Sequence, residues 1–198
     1  MNARRSLVFL AAILLAIPLV SCEPQMALHP WYGEKDIVTE AGFAGTWLLV
    51  DDKGKPGDQV TFTFTQNEDK SYTVSADDAT QAGVRSAWDV RLFRVNGRLF
   101  VDAAQLVTKF NGADVSELFI PGHMVGSLKL TADSVAIRFL DDEWLTKAVK
   151  ANPALIKNEM VNDSAVITAS TGKLQEFASA HASDDKAFAV GFNFVRKK

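Results

Sequence analysis

The chain of 198 residues carries three histidines, His29, His123 and His181, one cysteine, Cys22, and the acidic pairs Asp77-Asp78, Asp141-Asp142 and Asp184-Asp185. From such side chains a general acid–base pair, a thiolate nucleophile or a metal site would be built. The spacing favours none of them. The histidines lie far apart, and none stands in an H-E-x-x-H pattern, which places two imidazoles on one helical face for zinc. No G-x-S-x-G elbow presents a serine, and no glycine-rich loop is set to cradle a phosphate or a dinucleotide. Each acidic pair falls in a turn or at a helix start, where carboxylate oxygens cap backbone amides rather than gather around calcium. "DDKGKPGD", from Asp51 to Asp58, interposes lysines and lacks the distal glutamate of an EF-hand loop, so it reads as a polar hairpin loop. The expectation is a non-catalytic protein with no metal and no cofactor. A hydrolase with an unrecognised site, working through His123, is the enzymatic alternative.

A single cysteine supplies neither a disulfide nor a metal cluster, and Cys22 stands where a long apolar run stops. Arg4 and Arg5 precede that run, which extends from Leu7 to Val20 with one break at Pro18. Positive and then apolar is the order of a secretory signal, and the run is shorter than the ~20 residues of an ordinary membrane span. The segment closes as Leu19-Val20-Ser21-Cys22, which resembles the lipobox of bacterial lipoproteins. That resemblance implies cleavage before Cys22, a diacylglycerol on its sulfur and, usually, an acyl group on the new amino terminus. Two or three chains anchor a protein firmly where one binds marginally. Residues 1–21 are then a signal peptide and 22–38 a lipidated tether, in which Trp31 and Tyr32 are expected to pack loosely. Residues 39–198 form a single domain. Glu23 in place of an aspartate after the cysteine implies the outer membrane of a bacterial envelope, with the domain facing the periplasm.

Residues 1–21 hold two of the 21 basic residues and none of the 24 acidic ones, so their removal takes the net charge from −3 to −5. A chain of that sign is a poor partner for nucleic acid. What remains is long enough to bury one real core.

From Gly45 to Leu140 the dominant period is two. Val60, Phe62 and Phe64 alternate with Thr61, Thr63 and Thr65, and Tyr72 and Val74 with Ser71, Thr73 and Ser75, as half-buried strands require. Asn96-Gly97 between "SAWDVRLFRV" and "RLFVDAA" predicts a two-residue hairpin turn, since both positions tolerate positive φ. A second hairpin is expected about Ala132 and Asp133. After Leu140 the period becomes helical: Trp144, Leu145, Ala148 and Val149 share a face behind acidic residues. Asn152-Pro153, a cap followed by a first-turn proline, predicts a second helix carrying Leu155, Ile156 and Met160. Ser170 or Thr171 caps a third helix with Leu174, Phe177, Ala178 and His181 on one face. Phe188, Val190, Phe192 and Phe194 then alternate in a closing strand.

Gly45-Thr46-Trp47 opens the first strand and resembles the G-x-W motif of lipocalins and related calycins. In those families the tryptophan closes one barrel end beneath an arginine from a late strand. Arg196, in phase with Phe192 and Phe194, is the counterpart here. The Thr-Asp-Tyr turn of lipocalins is absent. "LDDEWLTKAVKANPALI", "TASTGKLQEF" and "DDKAF" further resemble uncharacterised bacterial lipoproteins. The expected fold is therefore mainly β, an antiparallel lipocalin-like barrel or curved sheet with about three helices in the C-terminal half. Gly45, Trp47 and Arg196 would close the barrel, and Trp88 is the candidate ligand contact. The bulk of the inward aromatics predicts little lumen. The expected partners are the membrane, through the acyl chains on Cys22, and either a small apolar ligand or, alternatively, another envelope protein on which the domain docks.

Overall fold

Alternation of phenylalanine with threonine produces a strand that buries one face, with Phe64 in the core and Thr65 exposed. The computed structural model describes residues 24–51, 53–78, 86–110, 113–114 and 122–198. Two short strands, β1 (Met26–Ala27) and β2 (Ile37–Val38), come first. A meander then runs through β3 (Gly45–Val50), β4 (Pro56–Gln66), β5 (Tyr72–Asp78), β6 (Ser86–Val95) and β7 (Arg98–Phe110). After the two-residue β8 (Ala113–Asp114), β9 (His123–Leu130) pairs with β7, and β10 (Ser134–Phe139) pairs with β9.

The chain then leaves the meander for α1 (Asp142–Ala151), the hairpin β11 (Asn158–Val161) and β12 (Ser164–Ile167), and α2 (Thr171–His181). It returns as β13 (Val190–Arg196), antiparallel to β10 on one side and to β3 on the other. That last pairing closes an eight-stranded antiparallel barrel, compatible with the lipocalin-like barrel the G-x-W resemblance implies. Asn96 and Gly97 turn the β6–β7 hairpin with φ of 49° and 77°, the double positive φ of a type I′ turn.

Strand alternation divides the apolar residues between two cores. Inward positions such as Phe64, Val74, Leu92, Val101, Ile137 and Phe194 fill the barrel. Outward positions Phe93, Phe100 and Val125 lie under Leu145, Val149, Leu174 and Phe177 of the two helices. The helical excursion thus covers one side of the barrel, and a barrel face that would otherwise meet water is buried.

Two expectations fail here for identifiable reasons. The helix predicted after Asn152-Pro153 does not form, so the described residues of the C-terminal half hold two α-helices rather than three. Asn152 ends α1, its N–H bonding to Ala148 O, and its own Oδ1 accepts from the Ala154 N–H at 3.2 Å. The capping chemistry is spent on a turn, because the chain must reverse at once into β11, where Met160 pairs with Ala165 and points to solvent. Asp141 does cap α1 as expected, accepting from the Trp144 N–H at 2.7 Å.

The segment expected to be a tether, residues 22–38, differs as well. From Gln25 onward the segment is part of the fold. Ala27 pairs in parallel with Ile167 of β12, and Met26 and Ala27 pair antiparallel with Met124 and His123 of β9. Trp31 is fully buried among Phe177 and the rest of the outer core, and its backbone N–H donates to Asp102 Oδ2 at 2.8 Å. Tyr32 packs against that core too, 6.5 Å from the Phe93 ring. Ile37 and Val38, as β2, lie along β6. The partners of this segment come from distant parts of the chain, so no local period announces it.

Candidate functional site

One end of the barrel brings Gly45, Trp47 and Arg196 close together. Trp47 and Arg196 are paired across β3 and β13, and the guanidinium carbon stands 4.2 Å from the centroid of the indole. Arg196 donates to Gly42 O at 2.6 Å, to Ala44 O at 3.4 Å and, through Nε, to Ala132 O at 3.0 Å. The indole N–H of Trp47 donates to Phe43 O at 3.1 Å. One side chain therefore ties the turn before β3, the β9–β10 turn and the closing strand together, with a cation–π contact worth about 0.5–2 kcal/mol.

Gly45 makes the approach possible. Its φ of +142° is one that side-chain-bearing residues avoid, and a Cβ there would strike Arg196 Nη1. Gly45→Ala is expected to cost about 1–3 kcal/mol in backbone strain alone. It should also displace the guanidinium, which a loss of near-ultraviolet dichroism from Trp47 together with a lowered melting temperature would report. Tyr72 completes this end: it is wholly buried, its hydroxyl accepts from the Glu40 N–H at 3.2 Å, and burial pushes its pKa above the usual value.

Towards the other end the lumen is not filled. A cavity of about 320 Å³ remains, walled by Phe62, Phe64, Trp88, Val90, Ala103, Met124, Phe139, Phe192 and their neighbours, without a charged side chain among the described residues. The expectation of little lumen is thus overturned. The small side chain of Ala103 is opposite Met124 and Val90 in register, and it leaves space that the aromatics do not reach across. Trp88 lines this cavity, as do Phe192 and Phe194 of the strand that carries Arg196.

The histidines are not brought together. His123 starts β9, where its Nδ1 is 2.8 Å from Asp102 Oδ1. Asp102 is a buried carboxylate on the outward face of β7, which also accepts the Trp31 N–H. Aspartate orienting an imidazole is half of a catalytic arrangement, but among the described residues no hydroxyl or thiol is hydrogen-bonded to the other ring nitrogen. The pair instead latches the N-terminal segment to the barrel. His181 packs its ring on Trp144 and Phe177, and His29 borders a larger hollow of about 860 Å³ between α2 and residues 154–157. That hollow mixes Lys157, Lys173 and Glu176 with apolar side chains, and Lys173 and Glu176 already pair at 2.7 Å.

No protein-family model, curated protein or solved structure matches this chain. Among the described residues there is no group of three or more His, Cys, Asp or Glu able to hold a metal ion. Nor is any described helix long and apolar enough to cross a membrane. The lipidation candidate Cys22 lies outside the described residues. Sequence reasoning named Trp88, Trp47, Gly45 and Arg196 but missed Ala103, Met124 and Pro24 as cavity residues. Only the shared phase of Ala103 and Val101 on β7 pointed inward, and nothing signalled that its size would leave a void.

Proposed function

We propose that the protein is a lipid-anchored lipoprotein of the bacterial envelope, held in the outer membrane and facing the periplasm, and that its lipocalin-like barrel binds a small apolar ligand without catalysis. The observation that carries this reading is the cavity: about 320 Å³, apolar in its described lining, inside a barrel whose opposite end carries the Trp47–Arg196 contact. Binding pockets fall in the range of ~300–1,000 Å³ and are mostly hydrophobic, with polar groups added where orientation is needed. Among the described residues this one offers no such group, which favours a hydrocarbon chain over a polar metabolite. Lipidation of Cys22 is supported by the lipobox and by the charge and length of the segment before it.

Titration with a fluorescent fatty acid should quench tryptophan emission, through Trp88, and saturate near one equivalent. Quenching that rises without saturation would contradict a built site.

Docking on another envelope protein has its own support. β11 pairs only with β12 among the described strands, and it presents Met160 and Val161 at 44% and 51% exposure. An open edge with exposed apolar residues is a template for strand addition. Crosslinking from position 160 in intact cells would capture such a partner, and recovery of monomer alone would remove this alternative.

A further inference from the structure

Pro24, the first described residue, stands in the wall of the apolar cavity. It is held there. Pro24 bridges to Asp141, just beyond the end of β10, and the Gln25 N–H donates to Leu140 O at 2.7 Å. Met26 pairs with Met124, itself a cavity residue. The chain therefore enters the fold at the cavity end of the barrel, away from Trp47 and Arg196. Cys22 is only two residues earlier in the chain, and a chain reaches at most about 3.6 Å per residue.

We infer that the anchor is joined to the rim of the lumen, so that the cavity end faces the bilayer and its occupant is the hydrocarbon chain of a bilayer lipid. The inference deepens the reading above and rests on it and on lipidation of Cys22. A cavity held at the membrane surface takes a chain directly from the bilayer, without exposing its methylenes to water in transit. The described lining holds no charge, so a head group stays outside, at the level of the bilayer's own head groups. The same barrel on a long tether would lose this alignment while keeping the cavity.

The test uses the full lipidated chain in phosphatidylethanolamine–phosphatidylglycerol vesicles and compares it with a variant bearing a Gly/Ser spacer of about 20 residues between Glu23 and Pro24. Two photoactivatable probes are applied separately: phosphatidylethanolamine with a diazirine in its acyl chain, and free diazirine palmitate, which exchanges through water. Both should label the peptides containing Trp88 and Met124 in the native chain. The spacer should lower phospholipid labelling about tenfold, by loss of effective concentration, and leave palmitate labelling unchanged. If phospholipid labelling of the lumen is equal with and without the spacer, or absent while palmitate labels, the inference is overturned and the binding reading stands. Failure of both probes to reach the lumen overturns the two together.

Discussion

Trp31→Ala is expected to lower the stability of the folded protein by about 3–5 kcal/mol, the range for truncating a large buried aromatic. For a domain of this size that corresponds to a fall of about 6–20 °C in melting temperature. The indole is fully buried against Phe177, and its N–H points at His123 O, 3.4 Å away. Alanine keeps the backbone N–H that Asp102 accepts but leaves a cavity between the segment and the helices. The loss should therefore be regional as well as global, with residues 25–38 becoming the first site of cleavage in limited proteolysis. A tether hanging from the membrane would show neither effect. Thermal denaturation followed by circular dichroism, paired with a proteolysis time course, checks both parts.

The second large effect concerns the lumen. Ala103→Phe places a benzyl group into the 320 Å³ cavity, where the present side chain leaves a void beside Met124 and Val90. Burial of about six methylenes of a bound chain would contribute about 5 kcal/mol, at ~0.8 kcal/mol each. Losing even half of that weakens binding by about 60-fold. Stability should hold or rise, because the added ring occupies space that is already empty rather than displacing packed neighbours. The variant thus separates binding from folding, and the measurement is a fatty-acid titration alongside a melting curve. Unchanged affinity would place the ligand elsewhere, and the hollow beside α2 would be the next site to examine.

Legibility in the sequence tracked the range of the interactions. Period-two alternation set the strands, since one face of each meets a common lumen, and Asn96-Gly97 set its turn by backbone geometry alone. Trp47 and Arg196 were legible because their motif and strand phase place them on the same inward face, and register brings them together. Asn152-Pro153 misled because asparagine serves a helix start and a turn with the same side-chain oxygen, and the strand demanded by residues 158–161 decides between them. The β11–β12 hairpin carried a signal that was present but unread. Asn162 and Asp163 both adopt positive φ, 49° and 67°, as a tight hairpin between them demands.

The N-terminal segment was illegible for a different reason. Gln25 Nε2 donates to Ala165 O at 2.6 Å, and Thr171 Oγ1 donates to Pro30 O at 2.8 Å, across some 140 residues of chain. No local pattern encodes such contacts. The cavity is harder still to foresee. Its volume is the difference between the space enclosed by eight tilted strands and the side chains pointing into it, and a single alanine on β7 shifts the balance.

Everything proposed for this barrel depends on its holding an apolar molecule. The decisive experiment is a native mass spectrum of the chain from Glu23 onward, produced without its lipid and purified without detergent, with extraction of anything that adds mass. A discrete adduct near one equivalent, soluble in organic solvent and absent from Ala103→Phe, is expected. A bare monomer mass that stays bare after incubation with fatty acids would refute the binding function and turn attention to the open edge of β11.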